Sequence, residues 1–249
     1  MSADTSLLPV VTVVQLDAAV PLDRFADHLP GVQVRLVRAD QGAPLAPAAD
    51  LDGLIVLGGT MSAHDEQEPG IAATRALLTD AAATGVPTLG ICLGAQLLAV
   101  ATGGRVHVAA PPGRESGVVD VRWRPEALTD PLVGGLATAA DGRSTPMPTM
   151  HSDAIVDLPR GASWLAASRM YPYQAFRVGE RAWGVQFHPE ASPATMHAWS
   201  VADGDTGEET AAVDAAVAAA DERVRADGAQ LAVTFAALVR ARATERVAV

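Results

Sequence analysis

Residues 88–101 read TLGICLGAQLLAVA. A strand-sized run, Thr88–Ile91, passes through Cys92 directly into a helix-forming run, Leu93–Ala101, closed by Gly103-Gly104. The junction, Gly90-Ile91-Cys92-Leu93-Gly94, has the Gly-x-nucleophile-x-Gly pattern of a strand-to-helix elbow. A nucleophile on so sharp a turn has strained backbone angles and close neighbours, so the residues two before and two after it must be small. The helix that follows aims its N-terminus at the sulfur, a field that favours thiolate over thiol. It also leaves the Leu93 amide free to donate to a developing oxyanion. The competing reading of the same residues is a plain βα turn closed around a buried cysteine.

Working outward, Val10–Leu16 and Leu51–Leu57 are apolar, strand-sized runs of the kind buried in a parallel sheet, and Val32–Arg38 alternates like a strand. Pro21–Leu29 is expected to be a short helix stopped by Pro30-Gly31. Pro69–Thr84 has helical spacing, with Ile71, Leu77 and Leu78 on one side and Gly85 as its stop. This β–α–β–α rhythm implies an α/β fold, an open and mainly parallel sheet with helices on both faces. Downstream, Gly117–Trp123, Met150–Val156, Trp164–Ala167, Gln174–Val178 and Ala182–Phe187 read as additional, antiparallel strands between short turns. Ser192–Ala198 opens a helix and Asp203–Glu209 is a polar break. Two further helices are expected, Thr210–Arg225 and Gln230–Arg242, parted by Asp227-Gly228. No repeat or linker marks a second unit, so the expectation is one domain over residues 1–249, with 200–249 as a C-terminal helical extension.

A cysteine nucleophile needs a base or ion-pair partner. Among six histidines, His188 stands out in Gly184-Val185-Gln186-Phe187-His188-Pro189-Glu190. A strand ends there, which puts the side chain at the carboxyl edge of the sheet, where the elbow also opens. Glu190 follows across a proline that stiffens the turn, placed to accept from the second imidazole nitrogen. Gly58-Gly59-Thr60-Met61-Ser62 follows a buried strand, and its glycines permit close backbone approach to a ligand, with the Gly59 amide as a second oxyanion donor. By themselves, the first is a His-Pro turn with a surface glutamate and the second an ordinary Gly-Gly turn.

The chain has 249 residues, is 49% hydrophobic and carries a net charge of −11. All 18 basic residues are arginine, with no basic run, which argues against nucleic acid and anionic membranes as partners. No apolar stretch reaches the roughly 18 residues of a membrane span, and MSADTSLLP does not read as a signal peptide. One cysteine excludes an internal disulfide and a cysteine-based zinc cluster. A reducing, cytoplasmic setting fits. The histidines have no metal-ligand spacing. There is no GxGxxG and no P-loop lysine, so no metal or cofactor is expected.

The stretches LIVLGGTMSAHD (54–65), GVPTLGICLGAQLLA (85–99), MHSDAIVDLP (150–159) and AWGVQFHPE (182–190) together resemble the class I, triad-type glutamine amidotransferases, specifically the GMP-synthase-like glutaminase group. The resemblance implies a flavodoxin-like fold and hydrolysis of the glutamine side-chain amide through a γ-glutamyl thioester. It implies Cys92, His188 and Glu190 as a catalytic triad, with the Gly59 and Leu93 amides as the oxyanion hole. Gln96 resembles the family's substrate-contacting glutamine. Gly58 lies in the substrate loop, and Ser152-Asp153 in the segment that receives the amino-acid end of glutamine. The chain departs from the group after its first strand, where Leu16-Asp17-Ala18-Ala19-Val20-Pro21 replaces a glycine-rich turn. His64-Asp65 has no assigned role, and Pro111–Glu115 reads first as an exposed turn, with a place on the border of the pocket as its other reading.

No ATP-pyrophosphatase segment or nucleotide signature accompanies the glutaminase stretches. The resemblance therefore implies a stand-alone glutaminase that feeds ammonia to a separate synthase subunit or other acceptor. A self-sufficient hydrolase of γ-glutamyl compounds would use the same thiol. A non-catalytic binding or regulatory protein on the same fold would lose triad residues, and all three are present. A cysteine peptidase with a similar elbow is a more distant reading, since such relatives usually lack the GVQFHPE arrangement.

Overall fold

The computed structural model describes residues 8–247. The signal-peptide reading falls mostly on residues 1–7, which lie outside the described residues. In chain order the strands are β1 (Val10–Gln15), β2 (Gln33–Arg38), β3 (Gly53–Val56), β4 (Thr88–Ile91), β5 (Arg105–His107), β6 (Glu115–Trp123), β7 (Ser144–His151), β8 (Ala154–Asp157), β9 (Ser163–Ala167), β10 (Ala175–Val178) and β11 (Ala182–Val185). The helices are α1 (Ile71–Ala83), α2 (Leu93–Ala101), α3 (Gly134–Ala139), α4 (Pro193–Ala202) and α5 (Gly207–Val247).

A nine-stranded sheet runs β2-β1-β3-β4-β11-β10-β9-β6-β7, and β5 pairs with β8 in a separate two-stranded sheet. From β2 to β11 the pairing is parallel; from β11 to β7 it is antiparallel. The sheet is thus doubly wound in its first half and antiparallel in its second, which is the α/β architecture expected. β3 and β4 are buried along their whole length, as parallel strands covered on both faces are. One face packs on α1 and α2 through Leu77, Leu78, Leu97 and Leu98. The other packs on α5 through Leu231, Phe235 and Val239. Every residue of α2 from Leu93 to Ala99 is buried, so its apolar character on all sides is that of an enclosed helix. Among the described residues, no helix is long and apolar enough to cross a membrane.

Four local expectations are corrected. Pro21–Leu29 forms only a single 3-10 turn, Asp23–Asp27. Asp23 sits at φ +44°, outside helical space, and its carboxylate accepts from the Ser192 amide and the Thr195 hydroxyl at the start of α4. Met150–Val156 is two strands, β7 and β8, in different sheets, with Ser152-Asp153 as the corner between them. Most of β7 escaped the sequence because Pro146 and Pro148 interrupt its pattern; it is an edge strand, where missing amide donors are tolerated. Finally, the two C-terminal helices are one, because Asp227-Gly228 does not break α5. The Asp227 carboxylate instead bonds Arg223 one turn earlier.

Candidate active site

β3, β4 and β11 are neighbours in the sheet. Their carboxyl ends bring together Gly58-Gly59, Cys92 and His188. Cys92 stands at the junction of β4 and α2 with φ +51° and ψ −106°. This left-handed backbone angle is uncommon for a residue with a side chain, and strain of this kind clusters at functional sites. The flanking glycines are required by space. A Cβ on Gly90 would overlap the Gly94 carbonyl, and one on Gly94 would overlap the carbonyl of Val56 on β3. Leu93 is the first residue of α2, so its amide has no acceptor within the helix.

His188 is 3% exposed. Its Nδ1 lies 2.7 Å from Glu190 Oε1, and its ring packs 4.6 Å, centroid to centroid, from Trp199. Burial works against charge on this imidazole. The Glu190 carboxylate and the Cys92 sulfur more than offset it, and the pKa is raised to about 10. Glu190 is fully buried, and its Oε2 has no hydrogen-bond partner among the described residues, so the His188 ring is its counter-charge. The Gln186 side chain donates to Cys92 Sγ at 3.5 Å and accepts from Gln96 at 3.3 Å.

These groups open into a cavity of about 210 Å³. Gly59, Cys92, Gln96, Ser152, Asp153 and His188 line it, with Met61, His151, Trp199 and Asp203 completing the wall. Gly58, Leu93 and Glu190 lie behind this lining. A Cβ on Gly58 would come 3.1 Å from His188 Cε1, and one on Gly59 would come 2.9 Å from Leu93 Cδ2. A side chain at Gly58 would thus crowd His188, and one at Gly59 would make Met61 and Leu93 shift. Opposite the cysteine, Gln96 donates to the Asp153 carbonyl at 3.0 Å, and the His151 Nδ1–H donates to the same oxygen at 2.9 Å. The Asp153 carboxylate itself is occupied by the Ala109 amide at 2.9 Å, which leaves the backbone of the segment, with Ser152, to face the cavity.

Several contributors were not singled out from sequence. Asp17 Oδ2 accepts from both the amide and the hydroxyl of Thr60, at 3.2 and 2.9 Å, tethering the glycine loop. Its signal was the departure from a glycine-rich turn after β1. The Pro111–Glu115 turn, by contrast, was singled out, and it is exposed only in part. Arg114 pairs with Asp203 at the cavity wall, and Glu115 is buried, 3.2 Å from His151 Nε2. Trp199 had no local signal, since only the fold brings α4 over His188. His64 lies outside the cavity, its Nε2 3.4 Å from the Val106 carbonyl oxygen.

The strained Cys92 turn stands at the carboxyl edge of a doubly wound sheet, with the His188–Glu190 pair at the end of the adjacent strand, the groups that a thiol nucleophile, its base and an orienting carboxylate would need. Residues 27–203 match the family "Glutamine amidotransferase class-I", and the chain belongs to that family. It is 35% identical over 170 residues to a subunit of GMP synthase [glutamine-hydrolyzing] from Halobacterium salinarum, covering 68% of this chain and 81% of that one. It is 37% identical over 140 residues to GMP synthase [glutamine-hydrolyzing] of Porphyromonas gingivalis, covering 55% of this chain and 24% of that protein. The chain thus spans about a quarter of the length of the P. gingivalis enzyme. A glutamine amidotransferase from Thermotoga maritima shares the fold with a TM-score of 0.78 at 24% identity, covering 93% of this chain and 98% of that one. One from Methylobacillus flagellatus has a TM-score of 0.77 at 26% identity, covering 93% and 95%.

Proposed function

We propose that this protein is a glutaminase that hydrolyses the side-chain amide of glutamine through a Cys92–His188–Glu190 triad. The observation that carries the reading is the placement of Cys92 on a strained elbow beside a buried His188 that is itself held by Glu190. Cys92 thiolate attacks the amide carbon, and the oxyanion that forms is met by the Leu93 and Gly59 amides. His188 gives its proton to the departing nitrogen, the C–N bond breaks, and ammonia leaves behind a γ-glutamyl thioester. His188 then takes a proton from water, which attacks the thioester and releases glutamate and the free thiol. Glu190 orients the imidazole and stabilises its cation. Gln96 and the Ser152-Asp153 backbone receive the amino-acid end of the substrate.

The ammonia acceptor is proposed to be a separate synthase subunit. The extent of the match to the Halobacterium protein supports this reading. The test is ammonia release from glutamine by wild type and Cys92→Ser, with intact-mass measurement after a glutamine-like electrophile. Cys92-dependent release with one adduct supports a glutaminase active by itself. An adduct without turnover points to a required partner or to a larger γ-glutamyl substrate. Neither adduct nor turnover in folded protein sinks the catalytic reading.

A further inference from the structure

Helix α5 crosses directly behind the turn that carries His188 and Glu190. A Cβ added to Gly228 would overlap the carbonyl oxygen of Pro189, the residue between them, and would lie 3.9 Å from Phe25 Cε1. Glycine is the poorest helix former apart from proline, yet this one sits in the interior of a continuous 41-residue helix. Its helical backbone requires no left-handed angle, so close approach is the physical reason for it. A second tie runs through the Asp23–Asp27 turn. Asp221 of α5 pairs with Arg24 at 2.7 Å, and the Arg24 amide donates to the Glu190 carbonyl at 3.2 Å. The His-Pro-Glu turn is thus held from behind at Pro189 and at Glu190, both times by way of α5.

We infer that α5 is part of the catalytic apparatus, with Gly228 as the positioning residue that lets the helix seat the His188-Pro189-Glu190 turn against Cys92. Gly228, Asp221 and Arg24 all lie outside residues 27–203, so this support is supplied by parts of the chain that the family match does not include. The inference rests on the proposed role of His188, and its test is chosen so that the two can fail separately. Displacing reacting groups by about 1 Å can cost about a hundredfold in rate, which is the scale on which an added methyl would act here.

The chain has a single cysteine, so alkylation by iodoacetamide, followed by intact mass across the neutral pH range, reads Cys92 alone and requires no knowledge of the substrate. Wild type, Gly228→Ala and Asp221→Asn are compared by this rate, by glutaminase kcat and KM, and by circular dichroism for folding. The expected result for folded Gly228→Ala is Cys92 alkylation at neutral pH slowed about tenfold or more, with kcat lowered similarly and KM within about twofold. A wild-type alkylation profile in folded Gly228→Ala overturns the inference, because alanine would then simply be a better helix residue. A slowed profile with no glutamine turnover even in wild type upholds the inference and counts only against a glutaminase that is active by itself. Should Gly228→Ala not fold, Asp221→Asn decides: a slowed profile upholds the inference and an unchanged one overturns it.

Discussion

Glu190 Oε1 lies 2.7 Å from His188 Nδ1, and both side chains are almost wholly buried. The pair holds a proton that the unfolded chain would release, since the pKa of His188 is raised from 6.5 to about 10. Its stabilising contribution is therefore fully present below pH 6.5 and is lost as pH rises through about 10. Urea unfolding of wild type and Glu190→Gln across this window is expected to show a stability difference that shrinks as pH rises. A difference that stays constant would mean that His188 is not the protonated partner.

The same geometry orders the three triad substitutions. Cys92→Ser is expected to leave almost no glutaminase activity, since a hydroxyl is far harder to ionise than a thiol. His188→Ala should cost about 10²–10⁴-fold in kcat through loss of acid–base help. Glu190→Gln should cost less, because in the proposed mechanism this residue orients and does not itself transfer protons. Steady-state ammonia release measures all three, and a Glu190→Gln loss as deep as that of Cys92→Ser would contradict the orienting role.

Gln186 is buried, with its amide nitrogen toward Cys92 Sγ and its oxygen toward Gln96. A donor aimed at sulfur holds the attacking atom in place, and hydrogen bonds to charged groups contribute about 1.5–3 kcal/mol. The sulfur contact at 3.5 Å is long, so Gln186→Leu is expected to lower kcat at the weaker end of that range, about tenfold. KM should change little. Alkylation of Cys92 at neutral pH should slow in parallel, and unaltered alkylation would remove Gln186 from the site.

How much of this was legible in the sequence follows from where each signal resides. The elbow is a local pattern, and at Gly90 so is its cause, since a Cβ there would meet the Gly94 carbonyl; Gly94 is required by the Val56 carbonyl of β3, which only the fold brings close. The parallel strands β1, β3 and β4 were legible because burial on both faces writes itself as a continuous apolar run. β7 was only partly read because its prolines sit where an edge strand tolerates them and a reader expects a loop. Gly228 was read as a helix break because a lone glycine carries no mark of what it approaches. Pro189 is the cause, and it lies far away in the chain. Asp17 and Gln186 meet Thr60 and Cys92 only across the fold, and Trp199 meets the nearby His188 only because α4 turns back over the site.

A second buried histidine–carboxylate pair, His151–Glu115, stands at the same cavity. His151 Nε2 is 3.2 Å from Glu115 Oε2, and the carboxylate also accepts from Ser168 and Gln174, each at 2.6 Å. The other ring nitrogen, Nδ1, donates to the Asp153 carbonyl, so the pair fixes the corner between β7 and β8 on which Ser152 faces the cavity. It does not touch Cys92. Glu115→Gln replaces one acceptor oxygen with a donor and unsettles this buried network, at a cost of about 1–3 kcal/mol for an unsatisfied group. If the Ser152-Asp153 backbone receives the amino-acid end of glutamine, that loss falls on binding. The expected outcome is a KM raised about tenfold or more with kcat within a few-fold of wild type, and Cys92 alkylation unchanged. A fall in kcat at constant KM would instead assign the Glu115–His151 pair to the chemical step.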